Sequence, residues 1–348
     1  MTNKPKILIV YTGGTIGMVK DYKTGALKAF DFSQISSKIP ELQQLNCNIT
    51  TISFDEPIDS SNMNVNYYID IAQIISDNYN QFDGFVVLTG SDTMSYTSSA
   101  ISFMFENLEK PVIFTGSQLP IGDLRTDAKE NLITSIEIAS ANKNGAPIIS
   151  EVCLYFEYKL YRANRTTKIS ADQFEAFTSM NLSPLAESGV HLKFNESLIY
   201  KPKSKEKTLV VNKSLVDDVV VLKLFPGISS KVVVSILNIP NLKGIVLETY
   251  GSGNAPNSEH FIALLKNAID KGIKIVNVTQ CENGSVMMGH YDTSLMLKEI
   301  GVINGKDITS ESAIAKLMYL LNKELSDSEF KKLFEKSLRG ELTDKYHF

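Results

Sequence analysis

The chain is poor in the residues that staple, chelate or anchor. Its three cysteines, Cys47, Cys153 and Cys281, are widely spaced, odd in number and form no CxxC pair. That excludes a disulfide framework and a thiolate metal site, and it fits free thiols in a reducing, cytoplasmic compartment. The four histidines share no metal-ligand spacing, so no metal is expected. No run approaches the ~20 apolar residues of a spanning helix, and the N-terminal MTNKPKILIVYTGG breaks its short apolar stretch at Gly13-Gly14, too early for a signal-peptide core. No membrane association is expected. Positive charge is not concentrated either. The formal net charge is -4 with both signs mixed along the sequence, which argues against a nucleic-acid partner, because a phosphate backbone demands clustered cations. The glycine-rich turn near the N-terminus is neither GxGxxG nor followed by GK[ST], so the dinucleotide and P-loop fingerprints are missing.

What is present reads as an ordinary globular chain of 348 residues, 43% hydrophobic and 21% charged. At roughly 100–200 residues per domain, two domains are expected. In the first half, apolar runs rich in β-branched and aromatic residues (Ile7–Tyr11, Asn48–Phe54, Phe85–Leu88, Val112–Thr115, Val152–Phe156) predict strands buried on both faces. They alternate with helices over Val65–Asn78, Met94–Leu108 and Ala128–Ala141. Such alternation predicts an α/β fold with an open, doubly wound, flavodoxin-like sheet, whose site forms in the loops at the strand carboxyl ends. Residues 158–195 are polar and read as a hairpin and loop. The lysine-rich 200–207 stretch reads as a solvated connector. The second half repeats the pattern at smaller scale, as a Rossmann-like α/β domain with strands at Val219–Leu224, Gly244–Thr249 and Ile273–Val278. Its helices are expected at Ser229–Leu237, Ser258–Asp270, Ser310–Glu324 and Ser326–Leu338, the last opening on a capping box. The expected layout is an N-terminal catalytic domain over 1–198, a linker over 199–215 and a C-terminal domain over 216–348.

Three segments carry chemistry. Thr12-Gly13-Gly14-Thr15 follows the first strand; its glycines permit a tight turn and close approach to a small ligand, and Thr15 supplies a hydroxyl. Thr89-Gly90-Ser91-Asp92 follows the third strand and precedes a helix, whose N-terminal N–H groups can hold an anion. The plainer role for Ser91 or Asp92 is to cap that helix. Lys168 ends a Thr-Thr-Lys run; a lysine in a polar loop is ordinarily solvated, but a partly desolvated one can take a proton from a neighbouring hydroxyl.

Together these segments, with others, carry a resemblance. YTGGTIGM (11–18), DSSNM (59–63), GFVVLTGSDTMSYT (84–97), KPVIFTGSQLP (110–120), LYRANRTTK (160–168), ETYGSGNAP (248–256), NVTQCENGSVMMG (277–289) and SLRGELT (337–343) make the chain similar to bacterial type I, cytoplasmic asparaginases along nearly its whole length. The resemblance implies hydrolysis of L-asparagine to L-aspartate and ammonia through a threonine nucleophile, Thr15, and an acyl-enzyme. It implies a triad of Ser91, Asp92 and Lys168. Ser60 and Ser61 of the DSS segment would hold the substrate α-carboxylate, Asp92 its α-ammonium, and the backbone around Ser117 its side-chain amide. It further implies a homodimer or homotetramer in which Asn254 of a neighbouring subunit completes the site, and no cofactor.

The chain departs from the family pattern at four places. Ser91 stands where threonine is usual, keeping the hydroxyl and losing the methyl that restrains its rotamer. Thr89 stands where histidine is frequent. The lid tyrosine over the nucleophile has no direct counterpart, since alignment through Gly25 brings Ala26 there; Tyr22 is the nearest candidate. Glu248 replaces the arginine that some members use at a regulatory asparagine site, and a carboxylate there would repel the effector's own. Two other readings compete with the amidohydrolase: an ammonia-releasing subunit of a tRNA-dependent amidotransferase, and a non-catalytic amino-acid-binding protein of the same fold. An intact Thr15, Ser91, Asp92 and Lys168 set favours catalysis, because a sensor would not need the lysine.

Overall fold

A computed structural model describes residues 4–20, 27–29, 39–201, 208–289 and 292–344. The chain divides between Lys213 and Ser214 into two compact units. The first is built on an eight-stranded sheet. Its principal elements are β1 (Lys6–Gly13), β2 (Asn48–Ile58), α1 (Val65–Asn78), β3 (Gly84–Leu88), α2 (Met94–Met104), β4 (Val112–Thr115), α3 (Ala128–Ser140), β5 (Val152–Phe156), β6 (Lys159–Arg162), β7 (Ala186–Glu187) and β8 (Lys193–Phe194). The spatial order is β8-β7-β6-β5-β4-β3-β1-β2. The five strands β1 to β5 are mutually parallel, and β6 to β8 extend the sheet antiparallel. The parallel part therefore has the 2-1-3-4-5 order of flavodoxin-like sheets, with its direction of growth reversing between β1 and β3.

β1, β3, β4 and β5 are buried on both faces, as their unbroken apolar runs predict. β2 differs from that expectation. It lies at the sheet edge and alternates half-buried with exposed residues along most of its length, with Thr50, Ser53, Asp55 and Glu56 exposed. On one face Ile7, Ile9, Tyr11, Val86, Leu88, Ile113 and Tyr155 pack with Leu132, Ile136 and Ala139 of α3 and with Ile39 and Leu42 of the β1–β2 connection. α1 and α2 lie together on the other face. The units β3–α2–β4 and β4–α3–β5 both advance the same way across the sheet, yet their helices are on opposite faces, so their hands are opposite. β2–α1–β3 advances that way too and shares α2's face, which makes β4–α3–β5 the exception to the right-handed rule.

α2 stops at Met104 rather than at Leu108. Phe105–Glu106 turns extended and pairs with Val210–Val211, and Asn107 follows at a positive φ of 60°. Residues 158–195 are less of a surface loop than their polarity suggests. Arg162, Asn164, Arg165 and Thr166 are buried. Arg162 pairs with Glu151, Nε to carboxylate at 2.6 Å, and donates to the Leu198 carbonyl at 2.7 Å.

The second unit contains β9 (Val219–Lys223), α4 (Ser230–Leu237), β10 (Gly244–Thr249), α5 (Glu259–Asp270), β11 (Lys274–Thr279), α6 (Asp292–Glu299), β12 (Ile303–Asn304), α7 (Ser310–Leu321) and α8 (Asp327–Phe334). Its four strands are parallel and stand in sequence order. Ser229, Ser258 and Ser326 cap α4, α5 and α8, and Ser326 with Glu329 closes the expected capping box. α6 and β12 are additions to the expected elements. The three cysteines are free thiols, and among the described residues no helix is long and apolar enough to cross a membrane.

The SLRGELT stretch has a structural role in this unit. Lys316 of α7 and Glu341 are both fully buried and bonded to each other. Lys316 also donates to the Phe334 and Lys336 carbonyls at 2.7 Å each, and Glu341 accepts the N–H groups of Leu338 and Arg339. Removing one partner strands the other charge in the core. Lys316→Met is therefore expected to lower unfolding stability by about 3–5 kcal/mol, measured by urea denaturation; an unchanged midpoint would mean that Glu341 finds another partner.

Candidate active site

β1 and β3 are neighbours at the point where strand order reverses, and the two hydroxyl-bearing loops leave their carboxyl ends side by side. Thr12 Oγ1 donates to the Leu88 carbonyl at 3.0 Å and ties them at the root. Beyond it the backbones touch. Gly14 has a φ of 87°, and a Cβ there would lie 2.4 Å from the Gly90 nitrogen; a Cβ on Gly90 would lie 2.5 Å from Ser60 Oγ. The first and second loops thus meet backbone to backbone, and the Ser60 side chain packs directly on Gly90, which glycine at 14 and 90 allows. Thr15, half-buried, follows Gly14 at the start of a short 3-10 turn.

Ser60 is buried and opens a second such turn, Ser60–Asn62. Asp59 caps it, accepting Ser61 N–H at 2.9 Å and Ser61 Oγ at 2.8 Å; these bonds hold the Asp59 carboxyl below its ordinary range. Thr93 Oγ1 donates to the Ser60 carbonyl at 2.8 Å, joining this turn to the second loop. The Ser61 hydroxyl is thus engaged with Asp59, while Ser60 faces Gly90.

Ser91 and Asp92 do not cap α2. The capping position is Thr93, and no side chain there makes a cap bond. Instead Lys168 Nζ lies 2.8 Å from Ser91 Oγ and 2.7 Å from Asp92 Oδ1. The lysine side chain is only 16% exposed and the aspartate 69%, so the amine is enclosed while the carboxylate opens to solvent. Lys168 pairs with Phe177 in a short antiparallel ladder. Its position relative to α2 is set by buried polar contacts: Thr166 Oγ1 to Ser95 Oγ at 3.0 Å and Asn164 Nδ2 to Ser102 Oγ at 3.1 Å. Ser95 and Ser102 are two turns apart on one face of α2. Asn164, which resembles a glycosylation acceptor in sequence, is 1% exposed and used here.

Two glutamines add contacts that the motifs did not single out. Ser91 Oγ donates to Gln118 Oε1 at 3.2 Å, and Gln118 Nε2 donates to the Gln173 carbonyl at 3.0 Å. Gln118 sits inside the KPVIFTGSQLP stretch, next to Ser117. The Ser117 hydroxyl is committed to the Leu119 carbonyl at 2.6 Å, leaving its backbone for any ligand. Tyr22 lies outside the described residues. Among the described residues no cluster of three or more His, Cys, Asp or Glu could hold a metal.

Asn254 belongs to the second unit, in the loop after β10. Its backbone exchanges hydrogen bonds with Tyr250 at 2.9 and 2.8 Å. Glu248 has structural partners in that unit: Ser310 Oγ at 2.6 Å and Lys223 Nζ at 3.6 Å.

Behind the Ser117–Gln118 turn is a group of carboxylates. Glu130 accepts Tyr155 OH at 2.6 Å and Thr134 Oγ1 at 2.8 Å. Glu157 sits in the β5–β6 turn at a φ of 43°. Burial, and then repulsion from Asp127, Glu130 and Glu175, pushes its carboxyl up to about 7 from 4.5.

Known proteins match the chain along nearly its whole length. The family model for the asparaginase N-terminal domain matches residues 6–200, and that for the glutaminase/asparaginase C-terminal domain matches residues 218–334. The chain is 42% identical to L-asparaginase 1 of Escherichia coli over 342 residues, 98% of each chain. It is 39% identical to the 60 kDa lysophospholipase of Mus musculus over 360 residues, 97% of this chain and 62% of that protein. The crystal structure of L-asparaginase I from Vibrio cholerae superposes with a TM-score of 0.88 at 40% identity, covering 98% of this chain and 99% of that one.

The Glu157 carboxyl gives a pH test. Its folded-state value lies above its unfolded one, so ionisation costs the folded state. The cost is absent below about pH 4.5, grows as pH rises and is complete above about pH 7. Glu157→Gln should raise the melting temperature at pH 8 and leave it nearly unchanged at pH 4.5. An equal shift at both pH values would show that the charge is not the cause.

Proposed function

The chain belongs to the asparaginase family, and from that premise we propose that it hydrolyses L-asparagine to L-aspartate and ammonia. The observation that carries the mechanism is Lys168 Nζ within 2.8 Å of Ser91 Oγ and 2.7 Å of Asp92, beside the Gly14–Gly90 contact. In this reading Thr15 Oγ attacks the side-chain amide carbon. Its proton passes through the Ser91–Lys168 pair to the departing nitrogen; the C–N bond breaks and ammonia leaves an aspartyl ester on Thr15. Water then attacks the ester, and its second proton returns to Thr15. Backbone N–H groups of the two loops stabilise the oxyanion.

A free amino acid also brings two opposite charges. Ser60 receives the α-carboxylate, Ser61, with its N–H and hydroxyl both on Asp59, braces that turn, and the solvent-facing carboxylate of Asp92 receives the α-ammonium. The backbone at Ser117 meets the amide. The reaction needs neither metal nor organic cofactor. The enzyme assembles as a homodimer or homotetramer, with Asn254 of a neighbouring subunit reaching the substrate.

Ammonia release from purified protein, with L-asparagine, L-glutamine and D-asparagine side by side, is the direct test. Thr15→Ala should abolish turnover with the fold intact. Ser91→Ala should cost roughly 10²–10⁴ in kcat, the range for a positioned proton-transfer group, and Ser91→Thr, which keeps the hydroxyl, should retain most activity. Lys168→Met should lower kcat more than it raises KM. A destabilised but fully active Ser91→Ala variant would remove Ser91 from the mechanism. For the shared site, mixing inactive Thr15→Ala and Asn254→Ala subunits should restore part of the activity; no recovery on mixing would confine each site to one chain.

A further inference from the structure

Helix α3 begins against a local rule. Asp127 occupies its capping position, where an aspartate ordinarily binds the first-turn N–H groups, yet its side chain makes no cap bond. The N–H of Ala128 goes to Thr126 Oγ1 at 3.0 Å instead. The Asp127 carboxylate, 4% exposed, turns back to the loop after β4. It accepts the Gln118 N–H at 3.1 and 2.9 Å through its two oxygens and the Leu119 N–H at 3.1 Å. Asn131, one turn along α3, donates to Asp127 at 3.2 Å and to the Gly116 carbonyl at 3.0 Å, and accepts the Glu157 N–H at 3.0 Å. Burying a carboxylate is costly and the N–H groups it accepts offset only part of that cost, so burial raises the Asp127 pKa despite these bonds. A helix cap alone would not require it.

The loop so held carries Gln118, whose Oε1 accepts from Ser91 Oγ while its Nε2 is anchored on the Gln173 carbonyl. The Gln173 contact decides which end of the amide faces Ser91. Ser91 lacks the methyl that would restrict its own χ1, so its hydroxyl depends on outside contacts to stay beside Lys168.

We infer that Asp127 is a positioning residue of the active site: its carboxylate sets the Gly116–Leu119 turn so that Gln118 holds the Ser91 hydroxyl against Lys168. This rests on the reading of Ser91 and Lys168 as the proton-handling pair. The geometry asks for an acceptor-only group. An asparagine would point an NH₂ at the Gln118 N–H and at Asn131 Nδ2, donor against donor, so the isosteric substitution should fail here.

The test compares Asp127→Asn, Asp127→Ala, Gln118→Ala and the Asp127→Asn/Gln118→Ala double variant in kcat, KM and melting temperature, with amide hydrogen exchange at residues 118 and 119. Each Asp127 variant should lose ~10–100-fold in kcat, the scale of a misplaced catalytic group, with KM little changed. The double variant should be within about threefold of Gln118→Ala, because the two act in series. Exchange at 118 and 119 should quicken in the Asp127 variants. Asp127→Asn keeps the volume and is the variant to read if Asp127→Ala does not fold. A folded Asp127→Asn with wild-type kcat, or losses that multiply in the double variant, would overturn the inference. If the unaltered protein releases no ammonia from asparagine, the functional reading fails by itself, and unchanged exchange at 118 and 119 would separately refute the clamp.

Discussion

Everything at the site depends on the reversal of strand order between β1 and β3. In a parallel sheet each strand must be followed by a crossing connection, and adjacent strands whose connections depart in opposite directions leave a crevice at their carboxyl ends. Here β1 departs toward β2 and β3 toward β4. The loops Thr12–Thr15 and Thr89–Asp92 therefore start side by side at the carboxyl edge of the sheet. Close contact between them is possible because the Gly14 and Gly90 backbones meet directly, and the absence of a side chain at Gly90 leaves room for that of Ser60. A larger residue at 14 would push the two loop backbones apart, and one at 90 would displace the Ser60 hydroxyl.

The lysine reaches this crevice from outside the parallel sheet. Lys168 follows β6, in the antiparallel extension, and is registered on α2 through Ser95–Thr166 and Ser102–Asn164. α2 starts directly after Asp92, so the helix that begins at the second loop also carries the sites on which the lysine segment docks. One rigid element thereby sets the relative position of Ser91, Asp92 and Lys168. Catalytic geometry held by a helix and buried polar contacts is less prone to drift than geometry held by a free loop.

Much of the framework was legible in the sequence, for physical reasons that also mark where legibility ended. β4, β5, β10 and α1 could be bounded because unbroken apolar runs and 3.6-residue periodicity are local signals. The segment Leu160–Lys168 does not read as buried from its composition. Its arginines, asparagine and threonines look like solvent-facing loop, and their burial depends on Glu151, Ser95 and Ser102, partners that local composition does not reveal. Asp127 stands at the capping position of α3, and the structure shows its carboxylate turned toward Gln118 instead. The face on which α3 packs was equally hidden, since the handedness rule would have put it beside α2.

That misplaced helix has a consequence for the site. Were β4–α3–β5 right-handed, α3 would pack on the face of α1 and α2, and its first turn would not lie behind the loop after β4. On the observed face, Asp127 and Asn131 sit beneath Gly116, Gln118 and Leu119, and Glu130 meets Tyr155 across the same layer. The second unit offers a contrast. Its described strands stand in sequence order with no reversal. What it holds firmly is a loop: Thr249 and Asn277 bond each other at 2.6 Å, Asn277 Nδ2 reaches the Gly253 carbonyl at 3.1 Å, and Thr279 Oγ1 reaches that of Gly251 at 2.5 Å. Two buried polar side chains on adjacent strands thus define the turn that presents Asn254.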